Sequence, residues 1–83
     1  MVISYTLARV KPAQDVVVYR IVKDLPSVKE VITTYGEFDL IIKIEVDSLA
    51  ALDDFVFNKL RVIDGIDSTT TLISANFPTK GGV

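Results

Sequence analysis

The chain contains neither cysteine nor histidine. Without thiols there is no disulfide framework. Without either residue the usual zinc ligands, the commonest activated nucleophile and the commonest general base are all missing, so triads and thiol chemistry are excluded. Glycine is scarce, four residues in 83, and none sits in a phosphate-cradling loop: Gly36 and Gly65 stand alone, and Gly81-Gly82 does not precede a helix. Lysine and arginine number nine against eleven acidic residues, with no basic run, so the electrostatic footprint of a nucleic-acid binder is absent. No long hydrophobic run occurs either. In residues 1–10 Ser4, Thr6 and Arg9 interrupt the apolar positions well short of a membrane span, and no basic leader precedes them. The expectation is a cytoplasmic protein without membrane contact.

What is present is an unusual share of apolar residues, 49% of the chain at a net charge of -2. A single domain of this length buries only about 60–65% of its unfolded surface, which leaves a thin margin of stability. With no metal or disulfide to supplement that core, self-association is the expected support. The apolar surplus implies surface beyond one core, and such surface marks an interface.

Residues 35–46, YGEFDLIIKIEV, are the element around which the chain is organised. Phe38, Leu40, Ile42, Ile44 and Val46 alternate with Asp39, Ile41, Lys43 and Glu45, the period of a strand with one buried face. Residues 28–35 upstream are β-branched and aromatic, and Gly36-Glu37 between the two runs predicts a tight hairpin. Residues 2–10 alternate so that Ser4, Thr6 and Ala8 oppose Ile3, Tyr5 and Leu7, and both sets hold apolar members, as expected of a central strand. Residues 13–24 predict a helix with a stripe of Ala13, Val17 and Ile21 beside Val18 and Val22, entered at Pro12 and Asp15 and stopped by Leu25-Pro26. A second helix over residues 49–61 carries Leu49, Leu52, Val56 and Leu60 at spacings of three and four, with Asp47 or Ser48 as its cap. Asp64-Gly65 reverses the chain into a threonine-rich strand over residues 66–77, and residues 78–83 have the composition of a flexible tail.

The order βαββαβ, with right-handed crossovers, gives an α+β ferredoxin-like sandwich: one antiparallel sheet with two helices on one face. The other face is left for dimerisation. Ile41 is exposed there, together with whichever set of the first strand points that way.

Catalytic chemistry finds little support. Asp53 and Asp54 are adjacent, but neighbours on a helix point about 100° apart, so they read as a solvated face rather than an acid and base pair. No catalytic, metal-binding or cofactor-binding residue is assigned, and the chain is not expected to be an enzyme. Two short motifs stand out, Gly36-Glu37-Phe38-Asp39 at the hairpin and Gly65-Ile66 followed by Thr69, Thr70 and Thr71. Read structurally, Gly36 supplies a positive φ, Asp39 hydrogen-bonds the turn and the threonines favour a strand. Read functionally, Gly36 admits a ligand to the backbone, Asp39 takes an ammonium group, and the hydroxyls of Thr69 and Thr71 donate and accept, which suits a zwitterion such as a free amino acid.

These motifs, in this order and at these separations, resemble the C-terminal regulatory domain of the Lrp/AsnC family of transcription regulators, the module called RAM. The hairpin signature is met by Gly36, Glu37, Phe38, Asp39 and Leu40-Ile41-Ile42, and the second signature by Gly65, Ile66, Thr69 and Thr71; the first helix and Leu25-Pro26-Ser27-Val28 fit the family's spacing of a proline followed by a valine strand. The resemblance covers residues about 2–75. It implies a single RAM-like (ACT-like) ligand-binding domain over residues 1–77, in a stand-alone form without the helix-turn-helix that family regulators carry. It further implies sheet-to-sheet dimers, assembled as rings or dimers of dimers, with an amino-acid effector held near the hairpin by Gly36, Phe38, Asp39, Thr69 and Thr71. The expected function is an amino-acid-sensing regulatory module that acts on transcription or amino acid metabolism through partners, among them full-length Lrp/AsnC regulators, without binding DNA itself. The alternatives are a structural oligomerisation domain with no effector and, more remotely, a small dimeric ferredoxin-like enzyme.

Overall fold

The computed structural model describes residues 1–75. Four strands, β1 (Val2–Val10), β2 (Val28–Thr33), β3 (Leu40–Val46) and β4 (Ile66–Ile73), form one antiparallel sheet in the order β2-β3-β1-β4. Helix α1 (Asp15–Lys23) connects β1 to β2, and α2 (Leu49–Phe55), prolonged by a π-helical turn (Val56–Leu60), connects β3 to β4. This is the expected ferredoxin-like α+β arrangement. The end of the predicted last strand, residues 76–77, and the predicted tail lie outside the described residues.

Residues paired across antiparallel strands point to the same side, so the register assigns every side chain to a face. Ser4, Thr6 and Ala8 of β1 pair with Ile44, Ile42 and Leu40 of β3, and all six are fully buried beneath the helices. The helices contribute Val18, Val22, Leu52, Phe55, Val56 and Leu60 to the same core. Small side chains on the central strand leave room for these larger ones above it. The opposite face carries Ile3, Tyr5 and Leu7 of β1, Ile41 of β3, Ile32 of β2 and Leu72 of β4. Among the described residues nothing covers them: Tyr5 is 39%, Ile32 45% and Leu72 53% exposed. The ambiguity in the first strand is thus resolved, with the bulky set on the bare side.

Both helices differ in detail from their sequence patterns. In α1 the buried residues are Val18 and Val22, whereas Val17 and Ile21 are exposed. Four valines and an isoleucine at mixed spacings offer more than one apolar stripe, and contact with the sheet selects one. In α2, Ser48 accepts a hydrogen bond from the Ala51 amide at 3.1 Å, the expected N-cap, but Leu49 remains exposed and Phe55 takes its place in the core. The predicted continuous α-helix to residue 61 instead widens over its last five residues, where the Arg61 amide donates to the Val56 carbonyl at 2.9 Å. Gly65 then returns the chain at φ +108 in a buried position where a Cβ would lie 2.8 Å from Val18 Cγ2, so the turn needs glycine both for its backbone and for the approach of α1.

Candidate functional site

The hairpin is wider than a two-residue turn. β2 ends at Thr33 and β3 begins at Leu40, so residues 34–39 form the connection, closed by the Thr34 amide donating to the Asp39 carbonyl at 3.0 Å. Thr34 Oγ1 donates to the Phe38 carbonyl at 2.6 Å and stiffens the loop from within. Gly36 takes φ +119 at the tip, with nothing within 4 Å of a notional Cβ. Its glycine is required by the backbone, and the space around it is open.

Asp39 joins this loop to the central strand. Its amide donates to the Ala8 carbonyl at 2.9 Å, and its carboxylate Oδ2 accepts from the Val10 amide at 2.8 Å. The reason lies at the end of the β1–β3 ladder: the Val10 amide points to the same edge of β1 as the Ala8 carbonyl, beyond the last paired residues Ala8 and Leu40, and the Asp39 carboxylate supplies its acceptor. On the other edge, pairing with β4 steps from Arg9–Ser68 to Val10–Ile66, leaving Asp67 of β4 as the extra residue of a bulge. Arg9 extends along the same loop, with its guanidinium 5.4 Å from the Phe38 ring centroid and 3.0 Å from Glu37 Oε1. The ion pair is solvent-exposed and contributes little by itself. Its consequence is geometric, since Phe38 and Glu37 are both held against the end of β1.

A cleft of about 330 Å³ opens beside this pinned loop, lined by Asp15, Thr33, Thr34, Tyr35, Asp39 and Leu40. Two carboxylates, two threonine hydroxyls and a tyrosine phenol thus border a space of small-molecule size. Of the sequence-predicted site residues, Asp39 lines the cleft, and Gly36 and Phe38 belong to the loop that bounds it. Thr69 and Thr71 do not line it. They share one face of β4, as expected, but lie across β1, opposite Ala8 and Thr6, on the helix-covered side. Thr71 Oγ1 is hydrogen-bonded to Thr6 Oγ1 at 2.9 Å. Sequence reasoning assigned Asp15 only to the start of a helix and gave Arg9 no role; the fold sets the start of α1 over the hairpin and ends β1 beneath it. A lone arginine at the end of an apolar central strand was the available signal for the second. Among the described residues no group of three or more carboxylates is placed to hold a metal ion, and no helix is long and apolar enough to cross a membrane.

The sequence of this ferredoxin-like domain with an aspartate-anchored hairpin places it in a family of ligand-binding domains. Residues 5–81 match the family described as the Lrp/AsnC ligand binding domain, and the chain belongs to that family. Among curated relatives it is similar to regulatory protein AsnC of Haemophilus influenzae, at 34% identity over 62 residues, which are 71% of this chain and 41% of that protein. The matched region therefore spans less than half the length of that relative. Among solved structures it is similar to a hypothetical protein of Pyrococcus horikoshii, with 36% identity, a TM-score of 0.85 and coverage of 90% of each chain. The fold alone is shared with the transcriptional regulator NMB0573 of Neisseria meningitidis, solved as a complex with L-Met, at 16% identity and TM-score 0.83 over 95% of this chain and 53% of that one.

Proposed function

We propose that this chain is a non-catalytic regulatory domain that binds a free amino acid at the hairpin cleft and self-associates through the bare face of its sheet. The observation that carries the ligand reading is the hairpin itself. A loop fixed from both sides by Asp39 and Arg9 borders a cleft whose polar lining, Asp15, Thr33, Thr34 and Asp39, can meet an ammonium group, with Tyr35 beside a side chain. The L-Met complex of a fold neighbour supports an amino acid as the ligand class. Gly36 and Phe38 shape the loop, and Thr69 and Thr71 join a site only where a second copy brings its hairpin to the far edge of this sheet. One domain spans the region through β4. It works in the cytoplasm through partners, among them longer relatives of the same family, and does not bind duplex DNA on its own.

A specific observation also favours the structural alternative. The Asp39 carboxylate already serves the Val10 amide and Thr71 already serves Thr6, so both residues have an architectural role without any ligand. The two readings separate in one experiment. A thermal-shift screen over the amino acids identifies a ligand, and calorimetry then compares its affinity in the original chain, Asp39→Ala and Thr71→Val with the assembled mass checked in parallel. The proposal expects a stabilising amino acid whose binding weakens in correctly assembled Asp39→Ala. Absence of any shift, or unchanged affinity in that variant, selects the structural role.

A further inference from the structure

A second cleft of about 270 Å³ lies at the other end of the sheet from the hairpin, between α2 and the turn that leads from α1 into β2. Val46 ends β3 here, whereas Leu40 at the hairpin begins it, so the two clefts are separated by about 20 Å along that strand. Leu25, Val46, Ala51 and Phe55 form apolar walls, and Asp54 and Lys59 place one charge of each sign at the same opening.

Lys59 follows Phe55 by four residues and so shares its side of the helix, and Asp54 precedes Phe55, so the two charges flank that ring at the opening. The helix widens over Val56–Leu60, and such π-turns recur at functional sites. Among the described residues, neither Asp54 nor Lys59 takes part in an ion pair. Asp54 Oδ1 accepts from Asn58 Nδ2 at 2.8 Å, which orients the carboxylate along the helix and leaves its other oxygen for a ligand. Across the cleft Ser27 is held at φ +79, a strained value for a residue with a Cβ, with its carbonyl accepting from the Glu45 amide at 2.9 Å.

We propose that this cleft is a second small-molecule site, and that it takes an α-amino acid with an apolar side chain. The ligand carboxylate meets the Lys59 ammonium, the ligand ammonium meets the Asp54 carboxylate, and the side chain lies against Leu25, Val46 and Phe55. A single exposed charge attracts an ion only weakly, but a fixed pair of opposite charges beside an apolar wall selects molecules that carry both charges and a hydrophobic group. The volume falls just below the roughly 300–1,000 Å³ of sites for drug-sized ligands, which sets the limit near one amino acid. The ligand class follows from the charges of this cleft and does not depend on the hairpin.

Amide chemical shifts of the full chain, titrated separately with L-leucine, L-methionine and L-phenylalanine at millimolar concentration, test this. At least one of them should move the amides of Ser27, Val46, Ala51 and Phe55. The dissociation constant should rise at least about threefold in Lys59→Met and in Asp54→Asn, which alter solvent-facing groups only. Ala51→Leu, which fills the cleft, should abolish the shifts, while Asp39→Ala should leave them intact. Isovalerate and isopentylamine, each lacking one of the two charges, should bind more weakly than leucine. The proposal is overturned if none of the three amino acids moves these amides, if only hairpin amides move, or if the cleft amides move with equal affinity in Lys59→Met and Asp54→Asn. Failure of the hairpin site reads separately, as unmoved amides at Gly36, Glu37 and Asp39.

Discussion

The two faces of the sheet reverse the usual distribution of side-chain size. On the covered face the central strand contributes Ser4, Thr6 and Ala8, and on the bare face it contributes Ile3, Tyr5 and Leu7. A domain that used only its own core would place the larger, more apolar set beneath the helices, since burial of each large apolar side chain stabilises by about 1.5–3 kcal/mol. Here the covered face obtains its volume from β3 and the helices, and the bulky residues of β1 are presented to the outside beside Ile32, Ile41 and Leu72. Contiguous apolar area of this kind on a small domain marks an interaction surface. Charged residues of that face stand at both of its ends, Glu30 paired across the ladder with Lys43 and Glu45 opposite Ile3 at one, and Arg9 opposite Ser68 at the other, as expected of a rim around an apolar centre.

The sharpest way to break the comparison uses two neighbouring isoleucines of one strand. Ile42→Ala, beneath the helices, should lower the free energy of unfolding by about 2–5 kcal/mol, a large part of what a small domain possesses. Ile41→Ala, one residue away on the bare face, should cost the isolated fold under about 1 kcal/mol and express itself in the concentration dependence of the unfolding midpoint. Urea denaturation at several protein concentrations separates the two. Equal losses at both positions, independent of concentration, would mean that the faces do not differ as described.

A smaller effect is expected where the covered side meets the turn after α2. Gly65→Ala combines a left-handed backbone with a Cβ only 2.8 Å from Val18 Cγ2 and should cost about 1–3 kcal/mol. Gly36→Ala, with open space around it, carries the backbone penalty alone, about 1 kcal/mol. Thermal unfolding of the pair should rank them in that order. Asp39→Ala removes a charge-assisted bond to the Val10 amide and should cost about 1–2 kcal/mol, with faster hydrogen exchange at that amide. The smallest change is Ser4→Ala. Its hydroxyl is fully buried without a hydrogen-bond partner, so removal should be neutral or stabilising by up to about 1 kcal/mol.

These differences also explain which parts of the structure were legible in the sequence. β3 could be read directly, because Leu40, Ile42 and Ile44 alternate with Lys43 and Glu45, and only Ile41 departs from the pattern. β1 could be recognised as a strand but not oriented. Both of its faces hold apolar residues, and the orientation is decided by helices that are remote in sequence. The stripe of α1 was read too broadly, as Ala13, Val17 and Ile21 beside Val18 and Val22, because these residues satisfy more than one helical spacing, and contact with the sheet selects Val18 and Val22. Gly36 announced a turn, but the hairpin is closed by the bond from the Thr34 amide to the Asp39 carbonyl and pinned to β1 by the bond between the Asp39 carboxylate and the Val10 amide, which no local pattern records. Asp39 was legible as a site candidate by residue type, whereas the separation of Thr69 and Thr71 from it follows from β1 lying between their strands.

The central claim, that the bare face is an interface, is tested most directly by sedimentation equilibrium on the original chain and on Leu7→Lys, with circular dichroism recorded on both. The account predicts a dimer or larger assembly at micromolar concentration for the original chain, and a folded species near the 9.1 kDa chain mass for Leu7→Lys. A monomer in the original chain, or an assembly of unchanged mass in the variant, would contradict it.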